Sequence, residues 1–216
     1  MKGLKNISTT YMNKYWFLGL GVLLQVVTYI LTQDSFLSFI SGLSGVISVV
    51  LCSQRKMGFY FFGFVQLFTY IVLCLEQRLY AEIAENGFYF ITMLYGLFHW
   101  LKHYNSEVKE VKTRKLSVTH NVCIGLMCII GILFLCVFLN MTDDTQPFMD
   151  AVTTVPAFIA QILMILRYRE SWYYWLIIDV GSIIMWSFVG NWIMVVQFMF
   201  WTINCAYGLY KWSEFS

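Results

Sequence analysis

Trp172, Trp175 and Asp179 lie at i, i+3 and i+7 in the stretch Trp172-Tyr-Tyr-Trp175-Leu-Ile-Ile-Asp179. On a helix these positions share one face, so two indoles line up with a carboxylate about two turns along. The stretch sits inside an apolar run that reads as a membrane span. A carboxylate near the middle of a bilayer costs roughly 2.5–3.5 kcal/mol on the insertion scale, which points to a task for it. Indole faces attract cations, with roughly 0.5–2 kcal/mol per contact, and the carboxylate adds its charge. The chemistry so assembled is recognition of a flat, cationic or polarised ring. A plainer role stands beside each residue. Trp172 and Trp175 also fit an interfacial aromatic belt. Asp179 also fits a structural partner for an amide across a helix bundle.

The composition sets the environment of these residues. The chain has 216 residues, of which 59% are hydrophobic and 12% charged. A soluble domain carries about 25% charged residues, so there is too little polar surface here to cover a water-soluble globule. The fold class is an all-α integral membrane protein. A net charge of +2 gives no footprint for a nucleic-acid partner. Six cysteines fall inside apolar runs with no C-x-x-C pair, and are expected to pack between helices. No metal-ligand cluster, cofactor motif or phosphate-binding G-x-x-x-x-G-K-[ST] loop is present, and no nucleophile–base pair suggests an enzyme. No removed signal peptide is expected at the N-terminus.

Eight apolar runs follow in order: Trp16–Leu31, Phe36–Ser53, Phe59–Leu75, Leu79–Trp100, Val122–Leu139, Phe148–Leu166, Trp172–Val189 and Trp192–Tyr210. With the N-terminus placed inside and the runs alternating, all but Arg78 of the 14 Lys and Arg residues fall on the inner side. This asymmetry supports eight spans with both termini cytoplasmic. Asp34, Asp143 and Asp144 then lie outside. Lys102 to Thr119 forms a basic cytoplasmic connector near anionic lipid. Gly42 and Gly45 have the small-x-x-small spacing of close helix contact. Pro156 removes a backbone donor in mid-span and is expected to kink its helix.

The chain also repeats itself. Tyr95-Gly96-Leu97-Phe98-His99-Trp100 parallels Tyr207-Gly208-Leu209-Tyr210-Lys211-Trp212, an offset of 112 (207 − 95). That register sets Leu79-Tyr80 opposite Asn191-Trp192, Glu85 opposite Gln197, Tyr89 opposite Trp201 and Thr92 opposite Asn204. With one residue of slippage earlier, Arg55-Lys56 falls opposite Tyr168-Arg169, Phe59 opposite Trp172, Phe62 opposite Trp175 and Gln66 opposite Asp179. Two three-helix units result, and the featureless fifth span is an inversion linker that lets them run parallel. The organisation is an N-terminal accessory helix (1–33), a first bundle (34–100), a connector with linker helix (101–146) and a second bundle (147–216).

Equivalent faces carry the polar and aromatic residues: Phe62 and Gln66; Asn86 and Tyr89, with Glu82 and Glu85 nearby; Trp172, Trp175 and Asp179; Gln197, Trp201 and Asn204. The repeat predicts one aromatic-walled cavity at the midplane, where transporter sites lie. The amides alternatively serve as interhelical glue. In a cavity they suit the hydroxyls of a ribose or polyol. Gly96 and Gly208 are read as packing residues, and His99, His103 and His120 as interfacial polar groups.

These same stretches carry a resemblance. Arg55-Lys56 before an aromatic span, Leu79-Tyr80, Asn86-Gly-Phe-Tyr89, Tyr95-Gly96-Leu-Phe-His-Trp100, Trp172-x-x-Trp175-x-x-x-Asp179 and Tyr207-Gly208-x-x-x-Trp212 together resemble the PnuC family of bacterial vitamin transporters. Leu97 departs from the family pattern, where a Trp is common. The resemblance implies a SWEET-like architecture, a homotrimer in the bacterial inner membrane, and uptake of nicotinamide riboside by facilitated diffusion. Its pyridinium and ribose suit the indoles, the carboxylate and the amides. Thiamine is also an aromatic cation, and Asp179 or Glu85 could take a proton in a coupled process, so both alternatives stand.

Overall fold

A computed structural model describes residues 16–33, 35–77, 80–107, 109–142, 147–189 and 192–214. Met1 to Tyr15, Asp34, Arg78, Leu79, Asp143, Asp144 and Asn191 lie outside the described residues, as do the side chains of Cys74, Tyr80, Glu82 and Trp192. Eight helices occur among the described residues: α1 (Trp16–Thr32), α2 (Phe36–Ser53), α3 (Gly58–Gln77), α4 (Tyr80–Leu101), α5 (Val118–Leu139), α6 (Pro147–Ile165), α7 (Ser171–Val189) and α8 (Trp192–Ser213). The protein is all-α and membrane-embedded; α2, α5 and α6 are the helices that are unambiguously long and apolar enough to cross a bilayer.

Hydroxyl side chains within the helices mostly donate back to their own ladder. Ser44 Oγ reaches Ile40 O at 2.6 Å, Thr69 Oγ1 reaches Val65 O at 2.8 Å and Thr202 Oγ1 reaches Phe198 O at 2.8 Å. In an apolar surround this removes the cost of an unpaired donor. Ser35 caps α2 by accepting from Ser38 N at 3.0 Å, and Ser117 caps α5 by accepting from His120 N. The second cap starts α5 at Val118, four residues ahead of the apolar run. The polar Thr119-His120-Asn121 turn is therefore helical.

The chain divides into two compact units. One comprises residues 1–52 and 56–91, the other residues 53–55 and 92–216. In the first, Ser48 Oγ donates to Phe59 O at 2.9 Å, joining α2 to α3. Phe90 of α4 meets Phe64 and Phe68 of α3 edge-on, with ring centroids 5.7 and 5.3 Å apart. Gly42 and Gly45 accommodate side chains rather than a bare helix. A Cβ at Gly42 would meet the Gln25 amide oxygen at 2.5 Å, and one at Gly45 would meet the Gln66 amide carbon at 3.1 Å.

In the second unit α5, α6, α7 and α8 pack in chain order, each on the next. The linker helix α5 buries only Cys128 and exposes most of its length. Cys123 on that helix is exposed, contrary to the expectation that every cysteine packs between helices. Its position on the outer face of α5 is the reason.

The connector is not the plain polar stretch that its composition suggests. Tyr104–Asn105 (β1) and Glu110–Val111 (β2) form an antiparallel hairpin with Tyr104 opposite Val111. Two residues per strand cannot hold themselves together. Two arginine turns supply the rest. Both α2 and α6 end in a Schellman turn, with Lys56 N bonded to Leu51 O at 3.0 Å and Tyr168 N to Leu163 O at 2.8 Å. The left-handed position, which usually takes glycine, is held by Arg55 (φ 60°) and Arg167 (φ 68°). Their guanidinium groups donate to consecutive connector carbonyls, Arg55 Nη1 to Val111 O at 3.4 Å and Arg167 Nη1 to Lys112 O at 2.7 Å. Main-chain bonds complete the clasp: Val111 N to Arg55 O at 3.1 Å and Arg114 N to Arg167 O at 2.8 Å. Glu110 forms an ion pair with Arg55. Burial lowers the pKa of both arginines, with Glu110, Glu214 and Tyr207 acting in the opposite direction on Arg55. A guanidinium stays charged throughout such shifts. Arg55 thus corresponds to Arg167, an offset of 112 (167 − 55). This corrects the pairing of Arg55-Lys56 with Tyr168-Arg169: the extra residue enters after the turn, before α7.

Candidate functional site

The i, i+3, i+7 face of α7 forms as its spacing predicts, but its three residues meet different surroundings. Trp172 is only 3% exposed. Its ring meets Trp212 edge-on with centroids 5.5 Å apart, and Trp212 lies 5.7 Å from Trp100. Trp100 Nε1 donates to Met164 O at 3.3 Å, and Thr113 Oγ1 donates to Trp212 O at 3.0 Å. Three indoles therefore close the connector end of the second unit. Gly208 makes room for them, since a Cβ there would meet the Trp172 indole at 2.5–2.7 Å. The Tyr-Gly-x-x-x-Trp signature has a packing reason: the glycine seats one indole and the tryptophan meets its edge. Trp172 Nε1 is buried without a hydrogen-bond partner among the described residues.

One turn deeper, Trp175 is half-buried. Asp179 is buried, and its Oδ2 accepts from the Cys205 thiol of α8 at 3.1 Å. Asn204, next in line, is fully buried and its Oδ1 accepts from Ser53 Oγ at 2.9 Å. Thr92, the repeat equivalent of Asn204, accepts from Gln161 Nε2 at 3.1 Å. The two bonds are reciprocal. The α8 residue of the second repeat binds the end of α2, and the α4 residue of the first repeat binds α6. Trp201 and Gln197 are half-buried. Trp201 stands edge-on to Phe198 at 5.1 Å, and its indole nitrogen has no hydrogen-bond partner among the described residues.

In the first unit, Tyr89 Oη donates to Glu85 Oε1 at 2.6 Å, an i, i+4 pair along α4. Asn86 is buried on the same helix. The Gln66 amide lies over Gly45, and half-buried Phe62 meets Phe61 edge-on at 5.2 Å. Among the described residues no group of His, Cys, Asp and Glu could hold a metal ion.

The structure thus joins Asp179 to α8 and seats Trp172 on Gly208. Sequence reasoning missed Cys205, Gln161 and Ser53 as polar partners. Cys205 follows Asn204 directly, and a cysteine in an apolar run reads as a packing residue. Ser53 closes an apolar run, and its partner is far along the chain.

Residues 35–214 match the family model described as nicotinamide mononucleotide transporter. A nicotinamide riboside transporter PnuC from Haemophilus influenzae is 30% identical over 201 residues, covering 92% of this chain and 88% of that protein. The PnuC of Neisseria mucosa is 26% identical over 219 residues, covering 95% and 82%, and that of Escherichia coli 24% over 203 residues, covering 82% and 85%. Among solved structures, a crystal structure of the vitamin B3 transporter PnuC aligns with a TM-score of 0.76 at 26% identity, over 92% of this chain and 89% of that one. These relatives are transporters, not enzymes, and with its ordered signature residues and its fold matching along nearly the whole length, this chain belongs to the PnuC family of membrane transporters.

Proposed function

We propose that this protein carries nicotinamide riboside across the membrane by facilitated diffusion. One observation carries the reading: a relative aligned with 92% of the chain is a nicotinamide riboside transporter. The side chains suit that substrate. Indoles at 172, 175 and 201 and the carboxylate of Asp179 suit the pyridinium cation. The amides of Gln66, Asn86, Gln197 and Asn204 suit the ribose hydroxyls, and Phe62 and Tyr89 add aromatic surface. The internal repeat in the sequence supports a shared midplane cavity for these residues. The same reading extends to a homotrimer in a bacterial inner membrane with both termini cytoplasmic. It rests on the lysine and arginine asymmetry and the family resemblance. It keeps the four-part organisation with boundaries at 33, 100 and 146.

Calorimetric titration of the purified protein with nicotinamide riboside, thiamine and riboflavin tests the substrate. Nicotinamide riboside is expected to bind, and Trp175→Ala to weaken it by at least about 1 kcal/mol, the loss of one cation–π contact. Unchanged affinity in that variant would remove the aromatic cage. Liposome uptake under an imposed proton gradient tests the passive mechanism: accumulation above the external concentration would replace it with coupled uptake.

A further inference from the structure

The outer face of the second unit carries a groove of about 540 Å³ that the transport reading does not use. Helix α6 lies between α5 and α7, and Pro156 of α6 is part of the groove's lining. One wall is the Asn121, Gly125, Cys128 and Ile132 face of α5, and the other is Tyr173, Tyr174 and Ile177 of α7. Gly125 helps to open the groove, because a Cβ there would meet nothing within 4 Å.

The groove is amphiphilic along its length. Ile132 and Ile177 make its deep end apolar. At the connector end stand Asn121, whose side chain has no hydrogen bond among the described residues, and Tyr174. Tyr174 is only 6% exposed; its hydroxyl makes no hydrogen bond among the described residues and is not enclosed, so it is open to a groove ligand. A phenol hydroxyl can both donate and accept, so at the groove wall it can bond a phosphate oxygen. Positive charge gathers at this end. Leu116 N bonds Glu170 Oε2 at 3.1 Å, which pins Lys115 beside the start of α7. Arg114 lies over the Tyr168 ring at 4.6 Å. Glu170, the acid at this end, is buried and already paired with Arg169 and Leu116 N. Lys115 is exposed and has no ion-pair partner among the described residues, and the first turn of α5 has no acidic residue. The positive end of a helix dipole and basic side chains together favour an anion.

We propose that this groove is a binding site for one anionic phospholipid. An acyl chain lies along Ile132 and Ile177, and the phosphate end is held at Asn121, Tyr174 and Lys115. The site is separate from the transport residues, so it stands or falls independently of the substrate.

Native mass spectrometry of the protein released from nanodiscs of equal phosphatidylglycerol and phosphatidylcholine tests it. The wild type is expected to retain one phosphatidylglycerol per chain in preference to phosphatidylcholine. Gly125→Leu starts from a Cβ that meets nothing within 4 Å, is expected to fill the groove, and should abolish that retained lipid. Lys115→Gln should lower the phosphatidylglycerol preference roughly fivefold, the weight of one basic residue at an anionic surface. Size-exclusion and thermal profiles establish that both variants are folded. Equal retention of the two lipids by the wild type, or undiminished phosphatidylglycerol in folded Gly125→Leu, would overturn the proposal. A change of oligomeric mass in Gly125→Leu with lipid retention unaltered would assign the groove to a second copy instead, and would overturn it too.

Discussion

Replacing Gly208 with alanine sets two effects of known sign against each other. Alanine is better than glycine in a helix by roughly 0.8–1 kcal/mol, so propensity alone makes Gly208→Ala stabilising. Packing says otherwise. The new methyl would meet Cε2, Cζ2 and Cδ2 of Trp172 at 2.5, 2.6 and 2.7 Å. These are atoms of the rigid ring body, not the tip of a flexible chain. The indole cannot swing aside, because it is 3% exposed and Trp212 stands edge-on to it at 5.5 Å. Overpacking of this kind costs roughly 1–3 kcal/mol. The net expectation is a loss of up to about 2 kcal/mol in thermal or denaturant unfolding of the protein in lipid nanodiscs. A second substitution separates the terms. In a Trp172→Phe background the smaller ring gives way, the clash is relieved, and Gly208→Ala should become neutral or stabilising. The double-mutant cycle is expected to show roughly 1–3 kcal/mol of coupling. Stabilisation by Gly208→Ala in the wild-type background, or additivity in the cycle, would show that the indole does not rest on this glycine.

The arginine clasp predicts that Arg55→Ala destabilises the protein by roughly 1.5–3 kcal/mol, the range for a hydrogen bond to a charged group, since Glu110 is only partly buried. Arg167→Ala should free the connector as well, and faster hydrogen exchange at Val111 and Arg114 would report both; unchanged exchange would refute the clasp. Thr92→Val should cost about 0.6 kcal/mol, the average for a hydrogen bond between membrane helices, and less in a Gln161→Leu background. Cys205→Ser keeps a donor for Asp179 and should be close to neutral, whereas Cys205→Ala strands a buried acceptor at a cost of about 1–3 kcal/mol. Equal unfolding of the two Cys205 variants would show that the thiol does not serve Asp179.

The membrane class, the eight helices and the α7 face were legible because apolar length and helical spacing are local properties. Helix α2 has the bounds of its apolar run, Phe36–Ser53. The start of α5 was missed because Ser117 extends the helix into polar residues, where hydropathy is blind and capping decides. The hairpin was missed for a different reason. Its strands have no pattern of their own; Arg55 holds its second strand and Arg167 the residue that follows. Arginine in a left-handed turn gives no warning in the sequence, where glycine would. The repeat did contain the signal. Continuing the 112-residue register back to Arg167 pairs arginine with arginine, and places the slippage after the turn.

The burial pattern divides the proposed site residues of the second unit by the work each can do. Asn204 is fully enclosed with its oxygen committed to Ser53, and Asp179 is enclosed with a thiol on its oxygen. Trp172 is enclosed against Gly208 and Trp212. These three hold α8 to α7 and to the end of α2. Trp175, Gln197 and Trp201 keep accessible surface, and the Trp201 N–H lacks an acceptor among the described residues. In our proposal they are the groups that reach the substrate first. A thiol is a weak donor, so a stronger donor or a cation can replace it on Asp179 without leaving the buried acceptor unpaired. In our proposal Asp179 exchanges Cys205 for the substrate cation, whereas Asn204 would abandon a full-strength bond and a buried hydroxyl. The carboxylate that first marked this face thus carries the weaker of the two bonds, and the amide beside it the stronger.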